Sequence, residues 1–157
     1  MAKEIERKFL IKPDTWNPQG AGTTIRQGYL SAVKERVVRV RTKGSKAFLT
    51  IKGVTKGISR SEFEYEIPVE DADALLTNLC EQPLIEKTRY KEVHNGHTWE
   101  IDVFFGDNDG LTVAEVELTD ENEALQLPDW VGEEVSSDPR YFNSNLIQNP
   151  YCKWVKK

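Results

Sequence analysis

Along this chain, charged residues of one sign recur two positions apart with a single apolar residue between them. Eight such pairs occur: Glu4/Glu6, Arg39/Arg41, Glu62/Glu64, Glu64/Glu66, Asp71/Asp73, Arg89/Lys91, Glu100/Asp102 and Glu115/Glu117. Composition alone predicts roughly three. Carboxylate oxygens are ligands for hard divalent cations, whereas arginine forks and lysine ammonium groups suit phosphate oxygens. The acids Glu4, Glu6, Glu62, Glu64, Glu100, Asp102, Glu115 and Glu117 stand beside the bases Lys8, Arg39, Arg41, Lys52, Lys87 and Arg89. Enclosed together, eight acids against six bases would leave negative charge unbalanced, which burial makes costly. Two magnesium ions would reverse that balance and invite a polyphosphate.

Positioning these charges requires strands, because alternation with period two sends charged and apolar residues to opposite faces of a sheet. Segments 4–9, 25–30, 38–41, 48–52, 62–67, 87–91, 99–103 and 113–118 predict eight strands. An ordinary sheet with a solvated charged face is the competing reading, although such faces usually mix signs and like neighbours repel. Helices are predicted over 71–82, 120–127 and 138–148, the last capped by Asp138 with Pro139 in its first turn. Residues 13–24 read as a loop. Gly44, Gly53, Gly57 and Asn95-Gly96 mark turns, and His94 and His97 flank the last of these as solvated hairpin residues without a chemical role. Neither a phosphate-binding Gly-Lys-Ser/Thr loop nor a Gly-x-Ser-x-Gly elbow is present. Trp99, Trp130 and Trp154 read as packing residues, and Arg60 and Arg140 as either cavity-mouth cations or surface ion pairs.

The 157 residues fit one domain spanning 1–157, and 38% hydrophobic with 30% charged residues describes a globular chain. A net charge of −5 argues against a nucleic-acid or membrane partner. No apolar run approaches the roughly 20 residues needed to span a bilayer. The charged start at Lys3-Glu4 carries no secretory pattern. Cys80 and Cys152, far apart and without metal-ligand spacing, are expected to be reduced structural thiols of a cytoplasmic protein.

Glu4-Ile5-Glu6-Arg7-Lys8 resembles the Glu-x-Glu-x-Lys signature of the CYTH superfamily, the triphosphate tunnel metalloenzymes. Further segments agree in order along nearly the whole chain: Arg26-Gln27-Gly28-Tyr29-Leu30, Val38-Arg39-Val40-Arg41, Thr50-Ile51-Lys52, Ser59 to Glu64, Glu86 to Tyr90, Glu100 to Phe104, Ala114 to Leu118 and Asp138 to Tyr141. The resemblance implies a mostly β fold, an eight-stranded antiparallel closed barrel with a charged interior and a few helices packed outside. It implies Mg2+ (or Mn2+), two ions, with Glu4, Glu6 and Glu117 as ligands of the first. Glu62, Glu64, Asp102 and Glu115 would serve a second ion or hold water, and Lys8, Arg39, Arg41, Lys52, Lys87 and Arg89 would bind phosphates. It also implies a catalytic Tyr29–Lys87 pair in which the lysine lowers the tyrosine pKa, although a strand tyrosine can equally be packing. So short a chain favours hydrolysis of tripolyphosphate to pyrophosphate and phosphate. Thiamine-triphosphatase, class IV adenylate cyclase and a non-catalytic polyphosphate-binding module are the alternatives, and a homodimer is the oligomer expected.

Overall fold

The fold follows from which face of each strand is apolar. The computed structural model describes residues 3–154. Its strands are β1 (Lys3–Ile11), β2 (Thr23–Ser31), β3 (Val37–Lys43), β4 (Lys46–Lys52), β5 (Ser59–Ile67), β6 (Ile85–His94), β7 (His97–Phe104), β8 (Thr112–Glu117) and β9 (Val131–Glu134). The first eight pair antiparallel in the order β5-β4-β3-β2-β6-β7-β8-β1. Three pairs between β1 and β5, Lys3/Ser61, Glu4/Arg60 and Ile5/Ser59, close the ring. The expected eight-stranded barrel is therefore present, with β9 added along β1 at Phe9/Glu134 and Ile11/Val131. Val-Gly-Glu-Glu has no alternation, so β9 carries no signal of its own. Among the described residues, no helix is long and apolar enough to cross a membrane.

Because the barrel interior is charged, most of the hydrophobic core lies outside its wall. Ile5, Phe9, Trp99, Ile101, Ala114, Val116 and Leu118 form one outer cluster, covered by Trp130 and Val131 with Trp16 and Leu125. Trp99 packs edge-on to Trp130 and tilted against Phe9, the packing role expected of it. A second cluster sets Val40 and Ala47 against Ala72 and Leu76 of helix α1 (Val69–Asn78) and against Cys80 just past its end. The close approach of α1 and its exit to β2 explains the glycine at position 28. A Cβ there would stand 2.7 Å from Leu84 Cδ2 and 2.9 Å from Cys80 Cβ, nearer than packed carbon atoms tolerate. A third cluster differs in kind. Tyr29, Val37, Ile85, Phe104 and Val113 occupy inward positions at one end of the barrel, and Tyr141, Leu146 and Ile147 pack on them. The C-terminal segment thus fills that end.

The helix expectations fared unevenly. Helix α1 begins and ends earlier than expected: Leu79 and Cys80 both donate their N–H to Leu75 O as the chain leaves it. Residues 120–127 form no helix. There the Glu123 carboxylate accepts from the Thr119 N–H and hydroxyl, and Asp120 Oδ1 accepts from the Asn122 N–H. Local side-chain bonds of this sort compete with helical ones. The third expected helix divides into a 3-10 turn at Pro139–Tyr141 and a single turn α2 (Asn143–Leu146). Asp138 caps the first piece as expected, and Phe142 at φ −70°, ψ 128° breaks the run. The break lets Tyr141 and Leu146 bury their rings and methyls while Phe142 and Asn143 face the interior cavity.

The hairpin histidines are not solvated decoration. His97 is bonded to Glu123, and His94 contacts Glu92 and lies edge-on to Trp130. Neither cysteine is in a disulfide; Cys80 is buried, whereas Cys152 is exposed and so has no core role.

Candidate functional site

Inward-facing positions of the barrel wall meet in one cavity of about 240 Å3. Glu4, Glu6 and Lys8 of β1, Tyr29 of β2, Arg39 and Arg41 of β3, and Lys52 of β4 line it, together with Glu62 and Glu64 of β5, Lys87 and Arg89 of β6, and Glu115 and Glu117 of β8. Every site residue expected from the sequence is in this group except Asp102, which lies behind Lys87 and Arg89 and is 1% exposed. Lys43, Arg60 and Glu100 also line the cavity. Arg60 is therefore a cavity residue, whereas Arg140 pairs with Asp138 at the surface.

This set revises the charge arithmetic. Adding Lys43 and Arg60 to the six expected bases gives eight, against seven acids on the lining and eight once Asp102 behind it is counted. The excess of negative charge that first suggested cations is absent. Alternation along Arg39-Val40-Arg41-Thr42-Lys43 and Arg60-Ser61-Glu62 contains the signal for both added bases.

The charges are not evenly mixed. Arg89 forks onto Asp102 through Nε and Nη2 at 2.8 and 2.9 Å, while Lys87 Nζ lies 2.8 Å from the same carboxylate. These two cations hold Asp102 far below the usual carboxylate range against the opposing effect of its burial. Lys52 sits 3.0 Å from Glu4 and 3.4 Å from Glu62, and Arg60 3.4 Å from Glu4. Burial opposes ionisation of Glu4, yet Lys52 and Arg60 hold its pKa down at about 2. Arg39 and Arg41 share Glu64, at 3.5 and 3.4 Å. Both Nε groups are buried and lack an acceptor among the described residues. Burial, with Arg39 and Arg89 as like-charged neighbours, lowers Arg41 to about 10. Such donors are matched to an incoming anion.

Carboxylates collect at another part of the wall. Glu6 stands opposite Glu117 in the β1–β8 register, and its carboxyl has no hydrogen bond or ion pair among the described residues. Burial, then Glu115 and Glu4, push it up to about 8. Glu117 is raised by burial and by Glu4 and Glu100. Among the described residues, no three acidic, histidine or cysteine side chains already stand close enough to hold a metal. Lys52 and Arg60 draw Glu4 aside, and Lys8 holds Glu115 at 3.5 Å.

The closed end of the cavity adds residues without a periodic signal. Ser136, Phe142, Asn143 and Ser144 line it from the C-terminal segment. Lys8 Nζ donates to Tyr141 O at 3.1 Å, and Asn143 Oδ1 accepts from both Gln27 Nε2 at 2.8 Å and Lys87 Nζ at 2.9 Å. No hydrogen bond joins Tyr29 to Lys87 among the described residues; Gln27 and Asn143 together bridge them, Gln27 Nε2 lying 3.4 Å from Tyr29 Oη and sharing Asn143 Oδ1 with Lys87 Nζ. Burial raises the Tyr29 phenol above its ordinary value despite nearby cations, the reverse of the lowering expected from a lysine partner.

The CYTH domain family matches residues 2–151. A protein of Acetivibrio thermocellus named inorganic triphosphatase is 53% identical over 151 residues, covering 96% of this chain and 97% of that protein. An inorganic triphosphatase of Nitrosomonas europaea is 38% identical over 149 residues, covering 91% and 95%. A crystal structure described as an inorganic triphosphatase superposes with a TM-score of 0.65 at 36% identity, covering 94% of this chain and 95% of that one.

Proposed function

Because this chain belongs to the CYTH domain family, we propose that it is an inorganic triphosphatase, a single domain that hydrolyses tripolyphosphate to pyrophosphate and phosphate within its barrel. The observation that carries this reading is the convergence of buried cations, with the Arg39 and Arg41 Nε groups lacking acceptors, in one enclosed cavity. Its volume of about 240 Å3 lies below the roughly 300–1,000 Å3 of pockets for larger organic ligands. That favours a bare phosphate chain over a nucleotide or thiamine ester. The two relatives named inorganic triphosphatase support the same substrate class.

The chain's own residues supply binding and orientation, which account for most of phosphoryl-transfer catalysis. Arg39 and Arg41 present forks to phosphate oxygens, and Lys8, Lys52 and Lys87 present point charges. Asp102 holds Lys87 and Arg89 in place and is too fully engaged by them to serve as a ligand.

Glu6 and Glu117, with Glu4 two residues along the same face, fit a hard divalent cation such as Mg2+ or Mn2+. The donors are all oxygens, Glu6 is in no ion pair among the described residues, and Glu4 raises the proton affinity of both Glu6 and Glu117. Glu62 and Glu115 are the candidates for a second ion. When bound, such a cation supplies positive charge to the phosphates and acidifies water.

The test is phosphate release from tripolyphosphate, ATP and thiamine triphosphate with magnesium, manganese or chelator. Tripolyphosphate is expected to turn over fastest and to be spared in chelator. Faster turnover of ATP or thiamine triphosphate overturns the substrate assignment, and tight binding without release points to a polyphosphate-binding module.

Lys87 makes the reading sensitive to pH. Burial lowers its pKa to about 8, with Arg89 adding to the effect and Asp102 opposing it. Lys87 is therefore charged below that pH and neutral above it. Between about pH 7 and pH 9.5, tripolyphosphate affinity measured by calorimetry is expected to fall roughly tenfold relative to Lys87→Arg, whose guanidinium stays charged. Parallel curves for the two proteins would remove Lys87 from the binding set.

A further inference from the structure

Asn143 has an orientation that chemistry dictates. Its Oδ1 lies 2.9 Å from Lys87 Nζ, and an ammonium group can only donate. The oxygen must therefore face Lys87, where it also accepts from Gln27 Nε2 at 2.8 Å. This leaves the Nδ2 amide, with two N–H donors, directed away from that pair. Asn143 lines the cavity, and Nδ2 has no hydrogen-bond partner among the described residues. Two buried cations, Lys8 and Lys87, adjoin the same closed end and are bonded to the C-terminal segment.

We propose that Asn143 is a substrate-positioning residue whose Nδ2 amide donates to a phosphate oxygen of the bound triphosphate while its Oδ1 steadies Lys87. This rests on the triphosphate reading and adds a contact supplied from outside the barrel wall. The segment that fills one end of the barrel is thereby part of the binding site. A phosphate chain reaching the closed end meets Lys8, Lys87 and the Asn143 amide as neighbouring donors, which fixes how deeply its terminal group sits. The interaction is with a charged acceptor, the stronger class of hydrogen bond.

Two substitutions separate this role from simple support of Lys87. Asn143→Asp keeps the acceptor for Lys87 and Gln27 but replaces the donating amide with an oxygen that repels phosphate. Asn143→Ala removes both functions. Tripolyphosphate binding is measured by calorimetry in chelator, with thermal melting as the check on folding. The expected order of affinity is wild type, then Asn143→Ala weaker by about fivefold to tenfold, then Asn143→Asp weaker by more than about tenfold. Asn143→Asp is expected to melt no lower than wild type. Wild-type affinity in Asn143→Asp with a loss in Asn143→Ala would overturn the inference, leaving only support of Lys87. Should Asn143→Asp fail to fold, Asn143→Ala is made in a Lys87→Met background, where no lysine remains to be steadied: a further loss of affinity of about fivefold upholds the inference and no further loss overturns it. Absence of tripolyphosphate binding by the wild-type chain, together with no phosphate release in magnesium, would instead bring down the triphosphate reading, and this inference with it.

Discussion

Replacing Glu6 by Gln is expected to reduce metal-dependent phosphate release from tripolyphosphate at least about a hundredfold while leaving the fold intact. With its pKa pushed up to about 8 by burial and by Glu115 and Glu4, the Glu6 carboxyl is protonated at neutral pH when no cation is present. A glutamine amide has nearly the same shape and the same neutral charge, so the metal-free protein should melt at or above the wild-type temperature. The two differ when cation binds. Glu6 then gives up its proton and becomes an anionic ligand, which the amide cannot do. Melting with and without magnesium, alongside phosphate release, separates these effects: wild type should gain stability from the ion, and Glu6→Gln should gain little. Retention of more than about a tenth of wild-type turnover would remove Glu6 from the metal site. A pure phosphate-binding protein would show no turnover in either form and would bind tripolyphosphate at least as well after the substitution.

Asp102→Ala is expected to produce the largest loss of stability in the cage. Its carboxylate is the shared partner of Lys87 and Arg89, all three nearly inaccessible to water. Deleting it leaves two buried cations without their main counter-charge, a change that costs about 3–5 kcal/mol where only one buried partner is orphaned. For a chain of this size that is a fall of roughly 10 °C or more in melting temperature. Asp102→Asn, which keeps an acceptor and the shape, should lose less. Melting of Asp102→Ala within about 2 °C of wild type would show that water or a rearranged acid compensates the two cations, and that the triad is not a structural unit.

The barrel wall was legible because each strand states its own two-sidedness. Arg39 and Arg41 alternate with Val38 and Val40, and Glu115 and Glu117 with Ala114 and Val116, so local pattern alone sorts inside from outside. All eight expected strands form. Register and closure are different matters. Nothing in Glu4 or Arg60 by itself announces that they will be cross-strand neighbours, and their order around the barrel came from family resemblance. Asn143 was invisible for a related reason. Its place depends on the break at Phe142, which depends on Tyr141 and Leu146 finding apolar partners at the end of the barrel. The same limit applies to the charges. Their types could be counted, but whether Glu6 would lack a cation while Asp102 held two depended on distances that no spacing encodes. The Tyr29 phenol follows the same logic: burial, a tertiary property, outweighs the surrounding cations.

Strand β1 has its partners far along the chain: 59–61 in β5, 113–117 in β8 and 131–134 in β9. A ribosome therefore releases β1 long before most of what it must pair with exists. Until then its outward Ile5 and Phe9 have nothing to pack on, and both its backbone edges are open to wrong pairings. Contacts of such long sequence separation also slow folding, since loop closure must be met before pairing rewards it. The carboxylates of β1 are enclosed only once β1 is paired on both sides, with β5 and with β8. Competence to grip a triphosphate and completion of the barrel are then a single event, so no partly folded chain carries the finished site.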